Sequence, residues 1–147
     1  MPRHPPTARA DRAAEELRAV VRTLVRRVRT ESGDQTFTRP QGSVLKVLAD
    51  GGPRTTADLA RAEHITPQAM GTLVAELEDA GLVRRTRDPA DGRRRPVSLT
   101  AAGRRAVEGQ RARRQSWLAH AIHDTLDADE QRRLLAALPL LRRLADA

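Results

Sequence analysis

Between Thr55 and Thr100 the spacing of apolar side chains changes from helical to strand-like, and the rest of the chain is arranged around that change. Met70, Leu73, Val74 and Leu77 recur at intervals of three and four, which predicts a helix with one buried face. Thr66 is placed to cap it, Pro67 occupies the first helical position without wasting an N–H, and Gly81 stops it. A shorter helix precedes it. Thr55 is its N-cap, Asp58 follows three residues on, and Leu59, Ala60 and Ile65 form its apolar side before a turn at Glu63–His64. Beyond Gly81 the segments 82–87 and 96–99 are short and β-compatible. The Asp88-Pro89-Ala90-Asp91-Gly92 run between them is turn chemistry, so a hairpin is predicted.

The flanks are helical. Leu17, Val20, Val21, Leu24, Val25 and Val28 form a stripe with a period near 3.5 on a helix expected from Asp11 to about Arg29, which Ser32-Gly33-Asp34 breaks. Thr38 and Gln41 offer a capping box for a helix through Val44, Leu45, Val47 and Leu48 that stops at Gly51-Gly52-Pro53. Thr100 begins a helix predicted to reach His123, roughly 35 Å at 1.5 Å per residue. Its middle, Glu108 to Gln115, lacks large apolar residues, as in a helix that crosses solvent between two packed regions. Apolar character returns with Trp117, Leu118, Ala121, Ile122 and Leu126. Asp127 and Glu130 then cap a last helix striped by Leu134, Leu135, Leu138, Leu141 and Leu144, in which Pro139 predicts a kink. The reading is a single, mainly α domain over 1–147 with a small β-hairpin. Residues 1–10 form a flexible arm carrying Arg3, His4 and Arg9, 38–100 a compact lobe, and 11–30 and 101–147 outer helices.

The face of the second short helix opposite its core stripe carries Gln68, Gly71, Thr72, Ala75 and Glu76. It is small and polar, suited to lying in a DNA major groove where side chains meet base edges. Arg84, Arg85, Arg87, Arg93, Arg94 and Arg95 crowd the hairpin against Asp88 and Asp91. A basic hairpin standing alone is a solvated surface; directly behind two short helices it is placed to grip phosphates and the minor groove. These residues resemble the MarR family of winged helix-turn-helix regulators. The resemblance runs through Thr55-Thr56-x-x-Leu59-Ala60, Ile65-Thr66-Pro67-Gln68, Leu77-Glu78-x-x-Gly81-Leu82-Val83, Asp88-Pro89-x-Asp91-x-Arg93 and Val97-x-Leu99-Thr100-x-x-Gly103. Thr72 and Glu76 stand where the family often carries basic or longer polar residues, and Gly92 where an arginine is common. The resemblance implies a dimer held by its terminal helices that binds double-stranded DNA at a pseudo-palindrome, more often as a repressor. It also implies release by a small-molecule effector. The expected DNA-contacting set is Thr55, Thr66, Pro67, Gln68, Thr72, Arg84, Arg93, Arg94 and Arg95, with Arg93 at the wing tip and Asp91 holding its guanidinium in position.

Composition agrees. Lys+Arg 27 against Asp+Glu 19 gives a net charge of +8, which favours a polyanionic partner. The absence of cysteine excludes disulfides, thiol redox sensing and cysteine-ligated metal. No apolar run approaches the roughly 20 residues of a membrane span, and no secretory h-region is evident, so a cytoplasmic protein is expected. His120 and His123 share a helical face without an evident third ligand, and no phosphate loop, nucleophile elbow or zinc-protease motif appears. Neither cofactor, metal nor enzymatic activity is therefore expected. One lobe is too small to cover both outer stripes, so pairing with a second copy is expected. Two other functions fit parts of the pattern: a non-specific nucleic-acid-coating protein, and a protein-interaction dimer that reuses the fold without DNA.

Overall fold

The computed structural model describes residues 7–33 and 36–147, which form six helices and two strands. They fall into two compact units, one of residues 33–113 and one of residues 1–32 with 114–147.

In the first unit, Thr38 and Gln41 make the expected reciprocal capping box at the start of α2 (Arg39–Gly51), and Gly52 ends it at φ 72°. Val44, Leu45 and Leu48 of α2 meet Leu59 and Ala60 of α3 (Thr56–Ala62) and Met70, Leu73, Val74 and Leu77 of α4 (Pro67–Asp79). Val83, Val97 and Leu99 close the same core from below. These side chains are at most 9% exposed. Ile65, expected on the apolar side of α3, is instead 37% exposed. It follows His64, whose φ of 54° turns the chain outward there.

The hairpin pairs β1 (Val83–Arg85) with β2 (Val97–Leu99) antiparallel, Val83 opposite Leu99 and Arg85 opposite Val97. Both strands are shorter than the predicted 82–87 and 96–99, because Pro96 has no N–H to extend the ladder. The far edge of β2 is not open. Arg54, in the α2–α3 connection, exchanges two hydrogen bonds with Val97, at 3.0 and 2.7 Å.

The next helix, α5 (Ala101–Thr125), starts in this unit. The Thr100 hydroxyl donates to the Gly81 carbonyl at 2.6 Å and accepts from the Gly103 N–H at 3.0 Å. The Thr100 N–H donates to the Leu82 carbonyl at 3.0 Å. Gly103 is buried so closely on that carbonyl that an added Cβ would lie 2.0 Å from its oxygen. Val107 packs on the core from the next turn. The boundary between the units therefore falls near Arg113, inside α5, and not at residue 100 as the sequence suggested.

The second unit holds α1 (Ala8–Glu31), the remainder of α5 and α6 (Ala128–Ala145). Helix α1 begins before the expected Asp11, because the Thr7 hydroxyl caps it by accepting from the Ala10 N–H at 3.2 Å. Residues 8–10 of the expected arm are thus helical; its first six residues, with Arg3 and His4, lie outside the described residues. Asp127 and Glu130 make the predicted capping box, and α6 continues through Pro139. Arg27 of α1 lies over the Trp117 ring of α5, 5.7 Å from its centre. Neither α1 nor α6 has a buried residue. Val20, Val21, Leu24 and Val25 on α1 and Leu135, Leu140, Leu141 and Leu144 on α6 are exposed, Leu135 by 65%. Among the described residues, no helix is long and apolar enough to cross a membrane.

Candidate nucleic-acid interface

The turn between α3 and α4 is built on backbone bonds from Glu63 N to Leu59 O at 3.0 Å and from Ile65 N to Ala60 O at 3.1 Å. Closing it requires His64 to adopt a left-handed backbone that costs a non-glycine residue about 1–2 kcal/mol. Thr66 then caps α4, its Oγ1 accepting from the Ala69 N–H at 3.2 Å, with Pro67 at the first position. The core stripe fixes the rotation of α4, so Gln68 and Thr72 lie one turn apart on its exposed side. The Thr72 hydroxyl donates to the Gln68 carbonyl at 3.3 Å, which leaves its oxygen lone pairs outward.

Two carboxylates of α4 are tied to neighbouring elements, and sequence reasoning found neither tie. Glu78 Oε1 accepts the Arg85 N–H at 3.2 Å and its Oε2 lies 3.8 Å from Arg85 Nε, joining α4 to β1. Glu76 Oε2 accepts from Gln41 Nε2 of α2 at 3.3 Å.

The hairpin tip is shaped by its aspartates. Asp88 accepts from the Ala90 N–H at 2.9 Å, and the Asp88 N–H donates to Arg94 O at 3.0 Å. Asp91 Oδ1 accepts the Arg93 backbone N–H at 3.0 Å. Asp91 therefore sets the course of the main chain at Arg93, in place of the expected grip on the guanidinium. An aspartate two residues before its partner folds back on the main chain more readily than it spans an arginine side chain. Arg87 Nε donates to Gly92 O at 3.3 Å, and a Cβ on Gly92 would meet that guanidinium.

The nine expected contact residues divide on this geometry. Thr66, Pro67, Gln68, Thr72, Arg84, Arg93 and Arg95 are exposed. Arg84, Arg93 and Arg95 have no acidic partner within 4.0 Å among the described residues. Thr55 is different: half-buried, it donates its hydroxyl proton to Asp58 Oδ2 at 2.7 Å and accepts the Asp58 N–H at 3.1 Å. Its donor is committed within α3. Arg94 Nη2 stands 4.0 Å from the same Asp58 carboxylate, which also pairs with Arg61. The Thr55 hydrogen bonds, with the Arg61 charge, hold the Asp58 carboxyl below its ordinary value. Asp58 thus links the start of α3 to the tip loop of the hairpin.

A cleft of about 300 Å³ opens beside α4, lined by Arg39, Pro40, Ser43, Glu63, Ile65 and Leu73. In the other unit, His120 Nδ1 lies 2.7 Å from the Ser116 carbonyl. No group of three or more His, Asp or Glu side chains among the described residues is placed to hold a metal.

Two short helices at a tight turn, followed at once by a basic hairpin, define a winged helix-turn-helix protein. A family model described as the MarR family matches residues 35–94. An HTH-type transcriptional regulator of Mycobacterium tuberculosis is 35% identical over 135 residues, covering 92% of this chain and 94% of the relative. An HTH-type transcriptional repressor of the same species is 43% identical over 68 residues, 46% of this chain and 49% of the relative. The crystal structure of a Pseudomonas aeruginosa protein superposes with a TM-score of 0.86 at 40% identity, covering 97% of this chain and 99% of that one. A mutant of Staphylococcus aureus MepR bound to an oligodeoxyribonucleotide shares the fold, with a TM-score of 0.69 at 23% identity over 90% of this chain and 97% of that one. The chain belongs to the MarR family and is a DNA-binding transcriptional regulator.

Proposed function

We propose that this regulator acts as a homodimeric repressor on a pseudo-palindromic operator. The observation that carries this reading is the exposed Gln68–Thr72 face of α4 together with the hairpin arginines Arg84, Arg93 and Arg95, which no carboxylate neutralises among the described residues. In this reading α4 enters the major groove, where Gln68 and Thr72 hydrogen-bond base edges. Thr66 and Pro67 pass along the phosphate backbone, Arg84 and Arg95 contact phosphates, and Arg93 enters the minor groove. Thr55 and Arg94 serve the lobe through Asp58 instead. The exposed stripes of α1 and α6 support a two-fold dimer, whose half-sites would lie about one helical turn apart. The M. tuberculosis relative described as a repressor supports the direction of control. Family membership supports release by a small-molecule effector, a cytoplasmic setting and the absence of enzymatic activity. Selection of bound duplexes from a random pool tests the proposal. Enriched inverted repeats are expected; binding without enrichment would replace it with a non-specific coating protein.

A further inference from the structure

We infer that Glu76 reads a base in the operator and selects cytosine, and that Gln41 of α2 positions it. The inference rests on the proposed operator binding and adds a specificity determinant to it.

The geometry starts at the α2 cap. Gln41 Oε1 accepts the Thr38 N–H at 3.1 Å, so its amide cannot flip without losing the capping box. Its NH₂ group therefore faces α4, where Nε2 donates to Glu76 Oε2 at 3.3 Å. One carboxylate oxygen is held and the other is left to accept. Glu76 is exposed and follows Thr72 by four residues, hence one turn further along the same side of α4. Among the described residues, it has no cationic partner within 4.0 Å.

A carboxylate without a cation is repelled by DNA phosphates unless a donor meets it. In the major groove the donors are the amino groups of cytosine and adenine. The adenine amino group sits between two acceptors, its own N7 and the O4 of the paired thymine. The cytosine amino group has an acceptor on one side only, the O6 of the paired guanine. A carboxylate is therefore less repelled at cytosine.

The test selects duplexes from a random pool with the wild-type protein, Glu76→Gln and Gln41→Glu, then measures affinities on the selected site and on variants at each position. An inverted repeat with a symmetric cytosine in each half-site is expected. Replacing that C·G pair should weaken wild-type binding about tenfold. Glu76→Gln should reduce the penalty to about twofold or less and move the preference toward adenine, which offers an amide a paired donor and acceptor. Gln41→Glu keeps a good capping residue but sets a second carboxylate against Glu76. It should blunt the cytosine preference while leaving the unfolding midpoint near that of the wild type. Should that variant not fold, the exposed Glu76→Gln change carries the test alone. Inverted repeats whose base preferences are the same with Glu76 and Gln would overturn this inference and leave the operator proposal intact. No inverted repeat with the wild-type protein would overturn both.

Discussion

Two glycines of α5 should respond to alanine with opposite signs. At Gly103 the new Cβ would lie 2.0 Å from the Leu82 carbonyl oxygen, 3.0 Å from its carbon and 3.2 Å from Leu99 Cδ2. Restoring ordinary contact distances requires a shift of roughly 1.2 Å or more. No side chain can swing away, because the obstacle is main chain and already accepts the Thr100 N–H. Overpacking of this kind costs about 1–3 kcal/mol. Loosening the Thr100 clamp costs about 1 kcal/mol more, and the helix preference of alanine returns at most about 1 kcal/mol. The net expectation for Gly103→Ala is a loss of about 2 kcal/mol, a midpoint lowered by roughly 4–8 °C for a chain of this size. At Gly109 the new Cβ meets only the movable tip of Arg113 at 3.4 Å. Gly109→Ala should therefore stabilise, by up to about 1 kcal/mol. Urea and thermal unfolding of both variants at one protein concentration is the assay, since self-association would otherwise shift the midpoints. A Gly103→Ala protein as stable as the wild type would refute the close approach of α5 to Leu82.

His64→Gly should raise stability by about 0.5 kcal/mol, since relief of the left-handed strain exceeds the added chain entropy; a lower midpoint would show that the His64 side chain contributes contacts of its own. Arg93→Ala should weaken binding to all DNA sequences and, where a phosphate contact is lost, flatten the salt dependence by about one unit. Gln68→Ala should cost about 1–3 kcal/mol on the selected site and little on random duplex. Equal losses on both DNAs for Gln68→Ala would move base reading elsewhere. Removing residues 134–147 should give a chain that no longer dimerises and is poorly soluble; a wild-type protein that sediments as a folded monomer would contradict this. Asp58 has its pKa lowered from 3.8 in the folded protein, so its contribution is present above that pH and is lost as the pH falls through the lower folded value. Asp58→Asn should therefore remove stability at neutral pH and flatten the acid limb below about pH 4. An unchanged acid limb would show that the Thr55–Asp58 contact does not matter to folding.

Local signals in the sequence were reliable where the physics is local. Thr38, Thr55, Thr66 and Asp127 cap the helices they were expected to cap, and the stripe from Met70 to Leu77 is the buried one. Helix α1 starts earlier than expected because Thr7, within the expected arm, is a good cap. Ile65 lies outside the core, since hydrophobicity says nothing about which way a left-handed turn sends the next residue. Thr55, expected to contact DNA, and Asp91, expected to hold the Arg93 guanidinium, are each engaged by hydrogen bonds within three residues. The Gln41–Glu76 contact spans 35 residues and joins two helices, so no pattern within either segment could reveal it. The extension of the lobe into α5 has the same origin, since it depends on how Gly103 meets the Leu82 carbonyl some twenty positions earlier.

The placement of Trp117 has a spectroscopic consequence. The chain has one tryptophan and no tyrosine. That single indole is half-buried in the unit of terminal helices, beneath the Arg27 guanidinium. Emission from the native chain is therefore a private reporter for that unit and carries no signal from the lobe, whereas far-ultraviolet circular dichroism sums the helices of both units. Denaturation followed by both signals separates two quantities that a single probe would merge. Coincident curves mean that the units melt as one cooperative body, and a gap between them measures how far one outlasts the other.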